Sequence, residues 1–385
     1  MRARVIAYYL PQFHPIPEND EAWGPGFTEW KNVVKARPLF RGHYQPRIPA
    51  DLGFYDLRLP EVREQQAQMA REAGIEGFCY WHYWFGKGKM LLQRPFQEVL
   101  ASGKPDFPFC LAWANHDWTT GTWKKSYREF TNEIIAKQEY LGIEDYTLHF
   151  NYCLPAFKDK RYITVDGKPL FVIYEPYHFK DVTLFMETWR KLAEENGLKG
   201  IHFVGIIKST STVKRQADGT LTRTMPNLKS SADVYNNILK LGFDGLNSLG
   251  KTRAEMLSIG KYNMLINEAL RKKLPFLPAL KYNYPKVVKH FFAPEDVWEN
   301  IYPTIMPQWD RSPRIGKSYG IYVKSTPEAF KEHVMDAINV IKDKSDEHKI
   351  LFLRSWNEWA EGNYVEPDEK YGRGYLNVLG ETLND

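Results

Sequence analysis

Eight short runs of apolar, strand-forming residues recur along this 385-residue chain and constrain its fold more than any other feature. They cover residues 4–10, 75–84, 107–114, 169–174, 201–207, 243–248, 302–306 and 349–355. Several are apolar almost throughout, as parallel strands buried on both faces must be. Amphipathic, helix-like segments lie between them. Residues 60–73 open on Pro60 and stop at Gly74, 181–196 stop at Gly197, and 326–341 begin within Ser325-Thr-Pro-Glu. Strand and helix alternating eight times predicts a single (β/α)8 TIM barrel over residues 1–385. A doubly wound open sheet uses the same alternation and is the alternative fold. Two insertions stand out, at 11–60 and 208–236. The first is rich in Pro, Gly and aromatics. The second is rich in Ser and Thr, turns at Gly219, and is expected to form a mobile lid on the catalytic face.

Charge and cysteine usage exclude several functions. Lys and Arg total 52 against 47 Asp and Glu, a nearly balanced chain. The basic stretches at 271–273 and 281–289 read as solvated helix faces, so no nucleic-acid partner is expected. No stretch approaches the roughly 18 apolar residues of a membrane span. Cys79, Cys110 and Cys153 are odd in number, and the first two lie in strand-like runs. They read as buried free thiols of a reducing compartment. The apolar run at the N-terminus is too short for a signal peptide. A cytoplasmic location is expected, or a periplasmic or secreted one if a leader has been removed. The ten His form no His-Glu-x-x-His and meet no cysteine pair, so neither a metal nor a cofactor is expected.

Aromatic residues are abundant: 12 Trp, 23 Tyr and 22 Phe, 15% of the chain. Barrel active sites are built from the C-terminal ends of the strands and the loops that follow. Those positions hold Tyr8, Tyr9, Gln12 and His14 after the first run, and Trp81, His82, Tyr83 and Trp84 after the second. Trp113, Asn115, His116, Asp117 and Trp118 follow the third, Tyr174 and Glu175 the fourth, and Asn247 the sixth. Gln308, Trp309 and Asp310 follow the seventh, and Trp356, Asn357, Glu358, Trp359 and Glu361 the eighth. Aromatic faces suit the C–H faces of sugar rings, and the amide, carboxylate and imidazole groups suit hydroxyls. The constellation predicts a cleft for an oligo- or polysaccharide.

The sharpest motif is Arg354-Ser-Trp-Asn-Glu-Trp-Ala-Glu-Gly-Asn-Tyr-Val-Glu-Pro. Glu358 and Glu361 stand three residues apart, on one face if the chain turns helically. Glycoside hydrolysis commonly uses two carboxyl groups, one of them with a raised pKa. In an apolar, Trp-lined pocket, neighbouring carboxylates push each other's pKa values apart. Glu366 is expected merely to pair with an Arg. Gly245-Leu-Asn-Ser-Leu-Gly-Lys-Thr satisfies the phosphate-loop pattern literally. It reads better as a strand end, a turn at Gly250 and a helix start, because the pattern is short and its inner residues hold no further Gly.

Two opening segments complete the picture: Tyr8-Tyr-Leu-Pro-Gln-Phe-His-Pro-Ile-Pro-Glu-Asn and Trp23-Gly-Pro-Gly-Phe-Thr-Glu-Trp-Lys-Asn-Val. With Leu111-Ala-Trp-Ala-Asn-His-Asp-Trp and Trp356-Asn-Glu-Trp-Ala-Glu-Gly, they resemble the WbsX-like family across essentially the whole chain. That family is often labelled as glycosyltransferases of lipopolysaccharide O-antigen clusters. It is similar to glycoside hydrolase family 99, the endo-α-mannosidase and endo-α-mannanase barrels. The resemblance implies that Glu358 acts as a base on a neighbouring sugar hydroxyl, which displaces the leaving group and forms an anhydro-sugar. It implies that Glu361 is the general acid and then the base that activates water, with net retention. This route suits α-mannosides and α-rhamnosides. Tyr8, Tyr9, Trp81, His82, Asn115 and Asn357 would be sugar contacts. The chain departs from the family pattern at His116, where a carboxylate is expected, and at Ala360, where family 99 tends to carry His.

Other functions stay open at this level. A transferase that uses a metal usually carries Asp-x-Asp, which is absent, as is Gly-x-Gly-x-x-Gly. A metal-independent glycosyltransferase remains, and so does a non-catalytic carbohydrate-binding barrel, which has no need of paired acids.

Overall fold

A computed structural model describes residues 2–384 apart from 124–131, 216–219, 275–276 and 319. Eight parallel strands form a closed ring. They are β1 (Arg4–Tyr9), β2 (Ile75–Trp84), β3 (Phe109–Trp113) and β4 (Lys168–Ile173). The second half is β5 (His202–Ile207), β6 (Gly245–Ser248), β7 (Ile301–Ile305) and β8 (Ile350–Leu353). β1 pairs with β8 on one side and with β2 on the other, Ala7 opposite Leu353 and Tyr8 opposite Cys79. That pairing closes the (β/α)8 barrel and excludes the open sheet. Nearly every strand residue is buried, because one face fills the barrel and the other meets the helices.

The helices form where the local signals are. α1 (Pro17–Trp23), α2 (Glu29–Val33) and α3 (Pro60–Glu72) separate β1 from β2. Gly74 ends the α3 segment at φ +71°, a left-handed position that suits glycine. α4 (Arg94–Ser102), α5 (Ile143–Phe157), α6 (Val182–Glu195) and α7 (Ala232–Leu239) follow β2 to β5 in turn. α8 (Lys251–Ile259), α9 (Lys261–Lys273) and α10 (Tyr284–Val288) lie between β6 and β7. α11 (Ser312–Ile315) and α12 (Pro327–Ile341) precede β8, and α13 (Gly374–Asn384) follows it. On α6, Phe185, Met186, Trp189 and Ala193 recur at helical spacing and are fully buried. Trp189 packs on Phe171 of β4 with ring centroids 4.7 Å apart, and its indole N–H donates to the Tyr146 carbonyl at 2.9 Å.

The insertions differ in detail from expectation. The first carries α1 and α2 rather than plain loop. The second holds a small hairpin, Val213–Arg215 against Leu221–Arg223, and ends where α7 starts at Ala232. Gly219 lies outside the described residues. A third elaboration was not legible in the sequence: Lys281–Asn283 pairs in parallel with Ile321–Val323 outside the barrel. It covers a smaller apolar cluster that includes Tyr282, Tyr284, Phe291, Met306 and Trp309. All three cysteines are free and buried. No helix among the described residues is long and apolar enough to cross a membrane.

Thr326 caps α12, its hydroxyl accepting from the Ala329 N–H at 3.3 Å. Thr326→Ala is expected to lower stability by about 1 kcal/mol in urea denaturation, and Thr326→Ser to restore most of it.

Candidate active site

At the C-terminal end of the barrel the strand ends and loops enclose a cleft of about 200 Å3. Trp81, Tyr83, Trp118 and Tyr174 supply its aromatic wall. Tyr83 and Trp118 meet edge to face at 4.8 Å, and Trp81 stacks on Tyr8 at 4.9 Å. Tyr8 is itself fully buried, with its hydroxyl donating to Asn247 Oδ1 at 2.9 Å, so it forms the floor beneath Trp81. The opposite wall is charged: Glu358, Glu361, Arg311, Arg314 and Arg354.

The two glutamates sit on a tight loop after β8, with a 3-10 turn at Trp359–Glu361. The loop is pinned at several points. Ser355 Oγ accepts from the Glu358 N–H at 2.8 Å, and the Asp310 N–H donates to the Glu361 carbonyl at 2.8 Å. Gly362 ends the turn at φ +60°, where a Cβ would lie 3.0 Å from atoms of both Arg47 and Asp310. Arg314 Nη1 donates to Glu361 Oε1 at 2.7 Å and approaches Glu358 Oε1 at 3.4 Å. Its Nη2 donates to Glu29 Oε1 at 3.1 Å, and the same oxygen accepts from the Ala360 N–H at 2.9 Å. Arg311 Nε lies 3.0 Å from Glu361 Oε1. Among the described residues, Glu358 Oε2 and Glu361 Oε2 have no hydrogen-bond partner. They can accept from a ligand in the cleft.

These contacts push the acids apart. Burial, then the nearby Glu361 charge, raise the Glu358 carboxyl above its ordinary value. Burial also opposes ionisation of Glu361, but Arg311, Arg314 and Arg354 together hold it down to about 2. Burial lifts Glu29 to about 7 even with Arg314 beside it. Of the two motif acids Glu358 thus holds its proton the more tightly and Glu361 the less, the reverse of the acid and base roles that the family resemblance implies.

A family model described as glycosyltransferase WbsX matches residues 5–379. The chain belongs to the WbsX glycosyltransferase family. It is 30% identical over 382 residues to the uncharacterized protein WxcX of Xanthomonas campestris pv. campestris strain B100, a match that covers 99% of this chain and 50% of WxcX. The chain thus spans about half the length of this curated relative. A family 99 endo-alpha-mannosidase from Bacteroides thetaiotaomicron superposes with a TM-score of 0.53 at 13% identity, covering 99% of this chain and 96% of that one. A protein named as glycoside hydrolase-like superposes with a TM-score of 0.57 at 16% identity, covering 99% and 93%. At such identities the likeness establishes a shared barrel.

Within this WbsX barrel the residues expected at the site divide into two groups. Glu358, Glu361, Gln12, Trp81, Tyr83, His116, Trp118 and Tyr174 line the cleft, with Tyr8 below. The others brace it or lie elsewhere. Tyr9 points outward, its hydroxyl donating to Gln66 at 2.7 Å. His82 lies outside the cleft, with Nε2 2.8 Å from His149 Nε2. Burial keeps both rings neutral, His82 down at about 3. Cys153 brings a third ligand-type atom to this pair, all within 4.8 Å of one another, but the two imidazoles already satisfy each other. Trp113 packs against Phe185 and donates to the Trp84 carbonyl. Asn115 ties β3 to β4, accepting from the Glu175 N–H at 2.7 Å. Asp117 is exposed and accepts from the Gln138 N–H, while Glu175 pairs with Lys208. Trp309 lies under Lys251 Nζ at 4.4 Å. Burial would raise Asp310, yet His43 and Arg47 together hold it below its ordinary value. Trp356 packs on Phe78, and Asn357 straps the closing loop to Leu10 through two hydrogen bonds of 2.7 and 3.0 Å.

Two further readings change. Glu366 pairs with no Arg; it accepts from Tyr55, Gln66 and Trp359 at 2.6–2.8 Å. The phosphate-loop lysine, Lys251, bonds Glu255 at 2.8 Å, and Phe291's carbonyl fills the space under Gly250, 2.2 Å from where a Cβ would sit. Sequence reasoning missed Glu29 and the three arginines as site residues. Glu29 and Arg354 lie inside the quoted motifs, but nothing in one sequence shows which charges are buried together.

Burial raises Glu366 from 4.5 to about 7, so the folded chain holds this proton more tightly than the unfolded one. Its stabilising effect is full below about pH 4.5 and is lost as pH rises through about 7. Relative to Glu366→Gln, the wild type is expected to lose on the order of 3 kcal/mol across that window, measured by chemical denaturation at each pH.

Proposed function

We propose that this chain is a retaining glycoside hydrolase acting on α-linked mannose-like or rhamnose-like residues of bacterial polysaccharide. One observation carries the reading: two buried carboxylates, each with an unpartnered oxygen, face an aromatic wall at the catalytic end of the barrel. Hydroxyls of a sugar stacked on Trp81 or Tyr174 would supply the missing hydrogen bonds. A single Arg314 nitrogen reaches both acids, 2.7 Å from Glu361 and 3.4 Å from Glu358, which sets them side by side.

The sugar class follows from the resemblance and from the substrate that the family 99 neighbour's name carries. In the proposed route Glu358 draws a proton from the neighbouring hydroxyl, an anhydro-sugar forms, and Glu361 first protonates the leaving oxygen and then activates water. The route asks Glu358 to take a proton and Glu361 to give one, against the direction in which their surroundings push them, so substrate binding has to rearrange the arginines around them. A barrel that only binds glycans has no use for such a pair. The second reading is a metal-independent glycosyltransferase of O-antigen or polysaccharide assembly, favoured by the three guanidiniums, which would suit the phosphates of a sugar donor.

Glu358→Gln and Glu361→Gln are each expected to cut release of reducing sugar from α-linked bacterial polysaccharide by about 10²–10⁴-fold with the fold intact. Full activity in Glu361→Gln would remove it as the acid. A wild type that hydrolyses no glycan but turns over a nucleotide sugar would establish the transferase. The configuration of the first product, followed by NMR, tests retention.

A further inference from the structure

The cleft holds more positive charge than two acids require. Arg311, Arg314 and Arg354 all line it. Arg314 is committed, with its two terminal nitrogens on Glu361 and Glu29. Arg354 is not. It leaves the end of β8 only 8% exposed, and among the described residues its Nη1 has no hydrogen-bond partner. Its Nη2 comes no nearer than 3.7 Å to Glu361 and 4.0 Å to Glu358, beyond hydrogen-bonding range. A buried guanidinium with unused donors is costly until a ligand completes it. The charge around it adds to this. Three guanidiniums line the cleft against two carboxyls, so its lining carries net positive charge.

We propose that the sugar seated in this cleft carries an anionic oxygen group, a uronate carboxylate or a phosphate ester, and that Arg354 with Arg311 is its receptor. The inference rests on the hydrolase reading and narrows its substrate. Guanidinium groups meet carboxylate and phosphate through paired, charge-assisted hydrogen bonds, stronger than those to a neutral hydroxyl. A consequence follows for the acid. The charged groups facing Glu361 are Arg311, Arg314, Arg354, Lys251 and Glu358. An anion that draws Arg311 and Arg354 toward itself weakens their hold on Glu361, which can then take up the proton it must deliver. A charged substrate thereby arms its own proton donor, and a neutral one leaves it clamped.

The test compares three α-linked mannose-type disaccharides on the wild-type chain by calorimetry: neutral, uronate and 6-phosphate. One charged form is expected to bind at least about tenfold tighter than the neutral one, and added salt to erode the difference. The form that wins identifies the group. In Arg354→Met the preference is expected to shrink to about threefold or less, with Arg354→Lys between the two because it keeps charge but loses the fork. Equal affinity for neutral and charged forms, or a preference undiminished in both variants, overturns the proposal. So does a chain for which GDP is the tightest ligand and glycan charge is irrelevant, because the arginines would then serve a nucleotide donor. Binding is read without turnover. A chain that prefers the charged glycan yet releases no sugar retains the anion receptor and loses the hydrolase reading.

Discussion

Arg314 sits beneath the mouth of the barrel with carboxylates from two distant parts of the chain around it. Glu29 comes from α2 in the first insertion; Glu358 and Glu361 come from the loop after β8. All four side chains are buried. Ions taken out of water cost several kcal/mol each unless they are paired, and leaving one unpaired typically costs about 3–5 kcal/mol. The cluster therefore holds together only as a set. It explains why a short helix in an otherwise irregular insertion lies where it does: Glu29 must reach both Arg314 and the Ala360 N–H. One wall of the cleft is held by charge, and the aromatic side and floor by packing, Trp81 on Tyr8 on Phe352.

Around that cluster the polar strand-end residues act as braces. Asn357 fixes the closing loop to Leu10, Asn115 fixes β3 to β4, and Asp310 gathers His43, Gln45 and Arg47. Each holds loops that carry a residue of the cleft. A barrel presents its chemistry on loops, which are the least constrained part of a fold. Satisfying buried amides and carboxylates across those loops is how this chain fixes them.

The barrel was legible in the sequence because continuous apolar runs alternating with Pro-started, Gly-stopped helices admit few architectures. The paired glutamates were legible because two acids among tryptophans after the last strand are hard to explain as packing. Which aromatics face the cleft was not legible. Tyr8 and Tyr9 are adjacent and both buried, yet alternation sends one into the barrel and the other against α3. His82 and Trp113 likewise follow Trp81 and Ala112 onto the outer face. Near a strand end, one residue of register decides between cleft and core. The arginines were hidden for another reason. Arg311 and Arg314 lie at the start of and within the one-turn helix α11 after β7, and only the closed fold brings them 3.0 and 2.7 Å from Glu361.

The strap from Asn357 to Leu10 has a temporal side. The cleft draws on residues near both ends of the barrel, Glu29 with Glu358 and Glu361, and they meet only when β8 pairs with β1. Until that last strand docks, Arg314 has no acid pair and the aromatic wall has no opposite side. In a partly open chain the cleft is thus incomplete, and its two walls come together in the same event that seals the ring.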